Sequence, residues 1–149
     1  MKLYHGSRYN LSKLENKQAT NGGFVDVPKE ELQNGIYLTP NYEFAVAMAI
    51  RPDGMTRIDN KKISFEHQEL FDPEKEVFIY VFDTEEEQFK NKELEYHNKN
   101  EYMIKGVNEL IPSQIETIKS KEIFKYYELI NWNEFNEIKQ EQKVNFKLK

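Results

Sequence analysis

The sequence predicts an α+β fold, and three observations carry that reading. Apolar, β-branched and aromatic residues gather in about six short runs, with room for only two or three helices between them. The runs do not alternate with helices in a βαβ rhythm, so a doubly wound parallel sheet is not expected. One run, Glu76-Val77-Phe78-Ile79-Tyr80-Val81-Phe82, is continuously β-branched and aromatic. That is the pattern of a central strand buried on both faces.

In chain order, residues 1–5 read as a strand. Residues 10–34 are polar, with a loop at Asn21-Gly22-Gly23 and a short helix near Lys29–Gln33 after Pro28. Gly35 then opens a short apolar strand, Ile36-Tyr37-Leu38, which Pro40 closes. The segment from Asn41 to Ile50 is small and apolar and reads as a helix, with Asn41 as its N-cap; Arg51-Pro52-Asp53-Gly54 ends it. A strand is expected near Ile63–Phe65, and the central strand follows at 76–82. Residues 83–100 are charged without an apolar period and read as a long surface loop. Glu101–Lys105 is a short strand, Gly106-Val107-Asn108-Glu109 a turn, and Ile115–Lys119 another strand. Beyond Lys121, Phe124, Tyr127, Phe135 and Ile138 fit a helix loosely, with Asn131 and Asn133 breaking it near Trp132.

Composition bounds the function. The 149 residues are expected to form one domain, residues 1–149. Aromatics make up 13%, with ten Phe and nine Tyr, enough to build a core and to argue against disorder. No apolar run approaches the ~20 residues that span a bilayer, and the N-terminus lacks a signal-peptide layout, so no membrane partner is expected. The chain has no cysteine, which excludes disulfides, thiolate metal sites and a cysteine nucleophile, and fits a reducing, cytoplasmic setting. Its three histidines, His5, His67 and His97, have no i, i+4 spacing, so no metal site is expected. A net charge of −5 weighs against tight nonspecific binding to a phosphate backbone. The basic end, residues 143–149, reads as a solvated tail.

Three stretches carry chemistry. In Leu3-Tyr4-His5-Gly6-Ser7-Arg8 a histidine precedes a glycine at a strand end. This suits a place where backbone passes close to a ligand while an imidazole supplies a directional polar contact; it equally suits a strand that ends in a turn, with His5 half-exposed. Gly35-Ile36-Tyr37 puts a tyrosine on an apolar strand, by default a core side chain. Asn100-Glu101-Tyr102-Met103-Ile104 puts a carboxylate at a strand start, where a solvated glutamate is the ordinary reading.

The three stretches, in this order and each on a predicted strand, resemble the ADP-ribosyltransferase superfamily. The closer likeness is to its diphtheria-toxin-like and poly(ADP-ribose)-polymerase-like branch, known by a histidine, a tyrosine and a glutamate on three strands. The likeness covers residues 3–120 in outline, with its specific wording in about twenty positions. It implies an ADP-ribosyltransferase-like fold, a split antiparallel β-sheet core with few flanking helices, and NAD as co-substrate. Glu101 would be the catalytic residue, bonding the nicotinamide ribose and stabilising developing positive charge. His5 would hold the adenosine-side ribose, the Gly6 backbone the nicotinamide amide, and Ser7 would add a bond to that amide. Tyr37 would lie against the nicotinamide ring.

Two departures qualify the likeness. Relatives place a second aromatic in the helix after the tyrosine strand; here Ala45-Val46-Ala47-Met48 stands there, leaving Tyr42, Phe44 or Met48 for the second wall. Arginine-modifying members carry Glu or Gln two residues before the glutamate, whereas this chain has Lys99, which speaks against arginine as acceptor and against polymer growth. The resemblance therefore implies a mono-ADP-ribosyltransferase acting on a macromolecule, a protein ahead of a nucleic acid, through a loop at about Thr84–Asn100. A stand-alone bacterial, phage or toxin-like effector is the expected setting. The alternatives are a non-catalytic NAD- or ADP-ribose-binding module, an NAD glycohydrolase and, disfavoured by the acidic balance and sparse arginines, an RNA 2′-phosphotransferase.

Overall fold

The computed structural model describes residues 1–15 and 35–135. The loop expected at Asn21-Gly22-Gly23, the short helix after Pro28, Ile138 and the basic end all lie outside the described residues. In chain order the elements are β1 (Lys2–Ser7), β2 (Leu14–Glu15), β3 (Gly35–Leu38), helix α1 (Tyr42–Ile50), β4 (Thr56–Asp59), β5 (Lys62–Phe65), β6 (Glu76–Asp83), β7 (Leu94–Asn98), β8 (Glu101–Lys105), β9 (Glu109–Leu110), β10 (Gln114–Lys119) and β11 (Glu128–Leu129). Short 3₁₀ turns occupy Gln68–Leu70, Glu87–Phe89 and Ser120–Lys125.

The fold is α+β and mostly antiparallel. β6 lies between β1 and β10, β8 lies between β3 and β7, and β5 lies between β4 and β11; among the described residues only the β5–β11 pair is parallel. The alternation of side chains along β6 explains its continuous apolar run. Val77 and Ile79 face one core with α1, Ile63, Phe65, Ile123 and Tyr127, while Tyr80 and Phe82 face a second core with Leu3, Ile36, Leu38, Ile104 and Leu110. A strand apolar on both faces has to be covered on both, by a helix on one side and a second sheet on the other.

Helix α1 is apolar nearly all round, with Phe44, Ala45, Val46, Ala47, Ala49 and Ile50 buried. Asn41 starts it: the Asn41 side chain accepts from the Phe44 N–H at 3.3 Å. The helix packs directly on β1 at Gly6. A Cβ at residue 6 would lie 2.0 Å from the Ala45 carbonyl oxygen, 2.7 Å from the Ala49 nitrogen and 2.9 Å from the Ala49 Cβ. Glycine and two alanines thus set the helix-to-strand distance.

Residues 83–100 differ from the expected long loop. They hold the 3₁₀ turn at Glu87–Phe89 and the strand β7, which pairs antiparallel with β8. The loose helix expected beyond Lys121 is instead the 3₁₀ turn at Ser120–Lys125, then β11, then a helical turn opening at Trp132. Asn131 starts that turn, its side chain accepting from the Asn133 N–H at 2.9 Å. Arg57 of β4 lies over the Trp132 ring, 4.4 Å from its centroid, docking the turn on the sheet.

Candidate active site

The site begins where two strands part. Tyr4 of β1 and Thr39 exchange both backbone hydrogen bonds, at 2.7 and 2.9 Å, and beyond that bridge β1 and β3 diverge. Backbone groups along an antiparallel strand point alternately to its two sides. Gly6 therefore presents its N–H and C=O on the same side as Tyr4, away from β6, and Tyr37 presents its own on the side of Thr39. Among the described residues β1 and β3 are not neighbours in any sheet, and Tyr4–Thr39 is an isolated bridge. The divergence leaves a donor and an acceptor of Gly6 facing open space without breaking either sheet.

That space is a cavity of about 260 Å³ lined by Tyr4, His5, Gly6, Tyr37, Leu38, Thr39, Phe44, Ala45, Met48, Arg51 and Glu101. Four residues expected from separate stretches of sequence, His5, Gly6, Tyr37 and Glu101, share its wall. In comparisons with protein-family models, curated proteins and solved structures, nothing matches this chain.

His5 bridges the divergent strands. Its Nδ1–H donates to the Tyr37 carbonyl at 2.8 Å. Burial lowers its pKa below the ordinary histidine value of 6.5, against the raising effects of that bond and of the Glu101 charge. A neutral ring whose Nδ1 holds the proton leaves Nε2 as a pure acceptor, the atom that a ligand hydroxyl needs. The ring lies nearly parallel to Tyr80, 5° between planes and 6.1 Å between centroids. The Tyr80 hydroxyl in turn donates to the Tyr9 carbonyl and accepts from the Leu11 N–H at 2.7 Å, fixing the segment after β1.

Glu101 enters the cavity from the start of β8, at the mouth of the tight β7–β8 turn. Asn98, paired with it across the turn, accepts from the Asn100 N–H at 2.9 Å and donates its Nδ2–H to the Glu101 carboxylate at 3.3 Å. One side chain both shapes the turn and aims the carboxylate. Tyr37 sits opposite, its pKa raised by burial first and by the Glu101 charge second. Its other side meets the His97 ring, 4.8 Å between centroids.

Helix α1 closes the cavity. Phe44 and Met48, four residues apart and so on one helix face, line it, with Ala45 between them. Tyr42 does not. Its hydroxyl donates to Glu116 at 2.8 Å, its ring packs on Tyr4 and Tyr126, and its pKa is pushed well above the ordinary tyrosine range by burial and then by the Glu116 bond. Of the three candidates for a second ring wall, the structure brings Phe44 and Met48 to the cavity and sets Tyr42 on the side facing β10.

Ser7 is not at this cavity either. Its Oγ accepts from the Tyr9 N–H at 3.1 Å and lines a neighbouring cavity of about 460 Å³ with His5, Asn10, Leu11, Ser12, Lys13, Leu14 and Glu15. His5 lines both spaces and stands at their junction. A third cavity, about 470 Å³, shares Phe44, Met48 and Arg51 with the first and continues to Gly54, Met55, Thr56, Ile58 and Asn100.

Sequence reasoning missed Arg51, Thr39 and Asn98. Arg51 reads as a helix-ending residue, and nothing local marks it as part of a cavity. The Thr39 Oγ1 accepts from the Asn41 N–H at 3.0 Å, locking the turn into α1. Asn98 did have a signal, because Asn-Lys-Asn between two β-capable runs marks a tight hairpin turn. Among the described residues no three His, Cys, Asp or Glu side chains gather as metal ligands, and no helix is long and apolar enough to cross a membrane.

Proposed function

We propose that the chain is a mono-ADP-ribosyltransferase with an ADP-ribosyltransferase-like fold, cleaving NAD and transferring ADP-ribose to a protein acceptor. The observation that carries the reading is the convergence of His5, Gly6, Tyr37 and Glu101 on one cavity from three strands far apart in sequence.

The fit to NAD rests on chemistry already described. A carboxamide has one acceptor and one donor face, and the Gly6 N–H and C=O, on the side of β1 away from β6, complement both at once. Tyr37 on one side and Phe44 with Met48 on the other form walls for a flat pyridine ring. Nicotinamide-ribose suits the 260 Å³ cavity, and the 460 Å³ space beyond His5 suits the adenosine half. His5 Nε2, a bare acceptor, takes a ribose hydroxyl at the junction.

Cleavage of the nicotinamide–ribose bond develops positive charge on the sugar, as other glycosidic cleavages do. The leaving group departs neutral and needs no acid, so electrostatic stabilisation carries the step. Glu101, held by Asn98, supplies a fixed negative charge at the wall where that charge develops. Tyr37 and Gly6 fix the ring, and His5 fixes the other end of the substrate, so the bond to be broken is positioned as well as stabilised.

The test is nicotinamide release from NAD by the purified protein, with and without a cell lysate, beside Glu101→Gln. The expected result is release that needs an acceptor and falls by about 10²–10³-fold in the mutant, the loss typical of removing one transition-state charge partner. Release equal in wild type and Glu101→Gln would overturn the assignment of Glu101. Tight NAD binding with no release under any condition would replace the transferase reading with a binding module.

A further inference from the structure

We infer that His97 is a positioning residue for NAD, backing the Tyr37 ring on the side away from the cavity. Its charge state then sets how tightly the cationic nicotinamide ring is held. The inference rests on the transferase reading above and deepens it, naming what tunes the ring wall. Tyr37 lines the cavity and His97 does not, yet the two rings are in contact. His97 is exposed and lies on the edge strand of its sheet, so the packing of the core does not call for an aromatic ring there.

The register of the β7–β8 hairpin explains how His97 comes to stand there. Tyr37 and Met103 are opposite each other on β3 and β8, so their side chains share one face of the sheet; Glu101, two residues from Met103, shares it too. Glu95, opposite Met103, belongs to that face, and Tyr96, opposite Tyr102, to the other. Strict alternation would keep His97 on the Tyr37 face and send Asn98 away from it. Instead Asn98 stands opposite Glu101, and the pairing shifts between Tyr96 and Asn98. A bulge of one residue thus delivers two consecutive side chains to the face of Tyr37 and Glu101. Asn98 bonds the Glu101 carboxylate at 3.3 Å, and the His97 ring meets Tyr37 at 4.8 Å between centroids with the planes 59° apart. One irregularity supports both the carboxylate and the ring wall.

A ring held from behind presents its free face in a fixed orientation, and an aromatic contact of this kind is worth about two- to tenfold in an equilibrium. The imidazole adds a charge lever, because it is the side chain that gains a proton in the physiological range. The nicotinamide ring of bound NAD is cationic, whereas free nicotinamide is neutral. A proton on His97, about 9 Å away through Tyr37, opposes the cationic ring by about twofold in a water-like dielectric and leaves a neutral ring unaffected. The other charged and titratable groups on this face are Tyr37 of β3, Glu101 and Lys105 of β8 and Glu95 of β7, with Lys99 in the turn. Glu95 and Lys105 pair with each other at 2.9 Å.

The experiment measures nicotinamide release from NAD, with lysate as acceptor source, for wild type, Glu101→Gln, His97→Ala and His97→Phe between about pH 5 and 8. Added nicotinamide serves as a neutral probe of the same ring wall. His97→Ala is expected to raise KM for NAD by about two- to tenfold with kcat nearly unchanged, the mark of lost uniform binding. His97→Phe keeps a ring without a charge and restores the wild-type KM at about pH 8. As pH falls, KM for NAD rises about twofold more in wild type than in His97→Phe, while the inhibition constant of nicotinamide follows the same course in both. The titrations of His5 and Glu101 are common to the two proteins and cancel in that ratio. No Glu101-dependent release at any pH overturns the transferase reading on which the inference stands. With such release present, an unchanged KM in His97→Ala, a loss confined to kcat, or a loss that His97→Phe does not restore overturns the positioning role alone. A ratio of wild type to His97→Phe that is flat with pH overturns the charge lever.

Discussion

Gly6→Ala tests how the site is built. The added Cβ meets the Ala45 carbonyl oxygen at 2.0 Å, the Ala49 nitrogen at 2.7 Å and the Ala49 Cβ at 2.9 Å. Overpacking against side chains that can yield costs about 1–3 kcal/mol. Here two of the three nearest atoms are helix backbone, so the whole of α1 has to move and the cost sits at the upper end, about 3 kcal/mol. Alanine also narrows the unfolded ensemble, which returns at most about 1 kcal/mol. The net loss is about 2 kcal/mol, or a melting temperature lower by about 4–8 °C for a chain of this length. Thermal melting followed by circular dichroism, checked by the urea midpoint, reads this directly. Adding Ala49→Gly removes only the Cβ–Cβ contact and introduces a glycine into the helix at about 1 kcal/mol, so the double variant is no more stable than Gly6→Ala. A Gly6→Ala protein that melts within 1 °C of wild type would refute the claim that the missing Cβ sets the helix-to-strand distance. So would full recovery in the double variant.

Three further outcomes follow from the same geometry. Asn98→Asp replaces the donor facing Glu101 with a second negative charge, so nicotinamide release falls by about tenfold or more while Asn98→Ser, which keeps a donor and a turn-forming oxygen, loses less; steady-state rates of the two variants decide it. His5 has a folded-state pKa below its unfolded value of about 6.5, so its contribution to stability is complete above that pH and is lost as pH falls through the folded value. Because the Glu101 charge raises that pKa, Glu101→Gln lowers it further, and the His5 ring titration followed by NMR moves to more acidic pH; a shift the other way refutes the coupling. Tyr42→Phe breaks the hydroxyl bond to Glu116 and lowers stability by about 1 kcal/mol, but the residue stands off the cavity, so KM for NAD stays at the wild-type value.

Much of the fold was legible because its central strands are apolar in ways that few other structures explain. β6, β3, β8, β10 and helix α1 each announce themselves by composition and punctuation, with Gly35 and Pro40 bracketing β3 and Asn41 starting α1. β7 was illegible for the opposite reason. Glu95, Tyr96, His97 and Asn98 are exposed, so no alternation of burial is written into them, and what makes them a strand is the pairing offered by β8. β2, β9 and β11 are two-residue pairings whose partners lie far along the chain, and no local signal specifies such a contact. Beyond Lys121, apolar residues at helical spacing are used one at a time to seal a core, as Ile123 and Tyr127 do from a 3₁₀ turn and the segment after it.

The candidate site follows the same division, and its physics explains why. His5, Gly6, Tyr37 and Glu101 stand out in the sequence because each lies where a strand begins, ends or parts from its neighbour. Those are the places where backbone polar groups come free of the ladder and a ligand can satisfy them. Arg51 was silent because its contribution depends on what the fold sets beside it, whereas Asn98-Lys99-Asn100 at least marked a turn. Arg51 ends a helix whose approach to β1 is fixed by Gly6, and it borders the cavity only because that approach is close. A substitution at Gly6 therefore acts on Arg51, Phe44 and Met48 together, through the position of α1. If Gly6→Ala loses nicotinamide release by more than its fraction unfolded accounts for, the excess measures how far the ring wall depends on that single close contact.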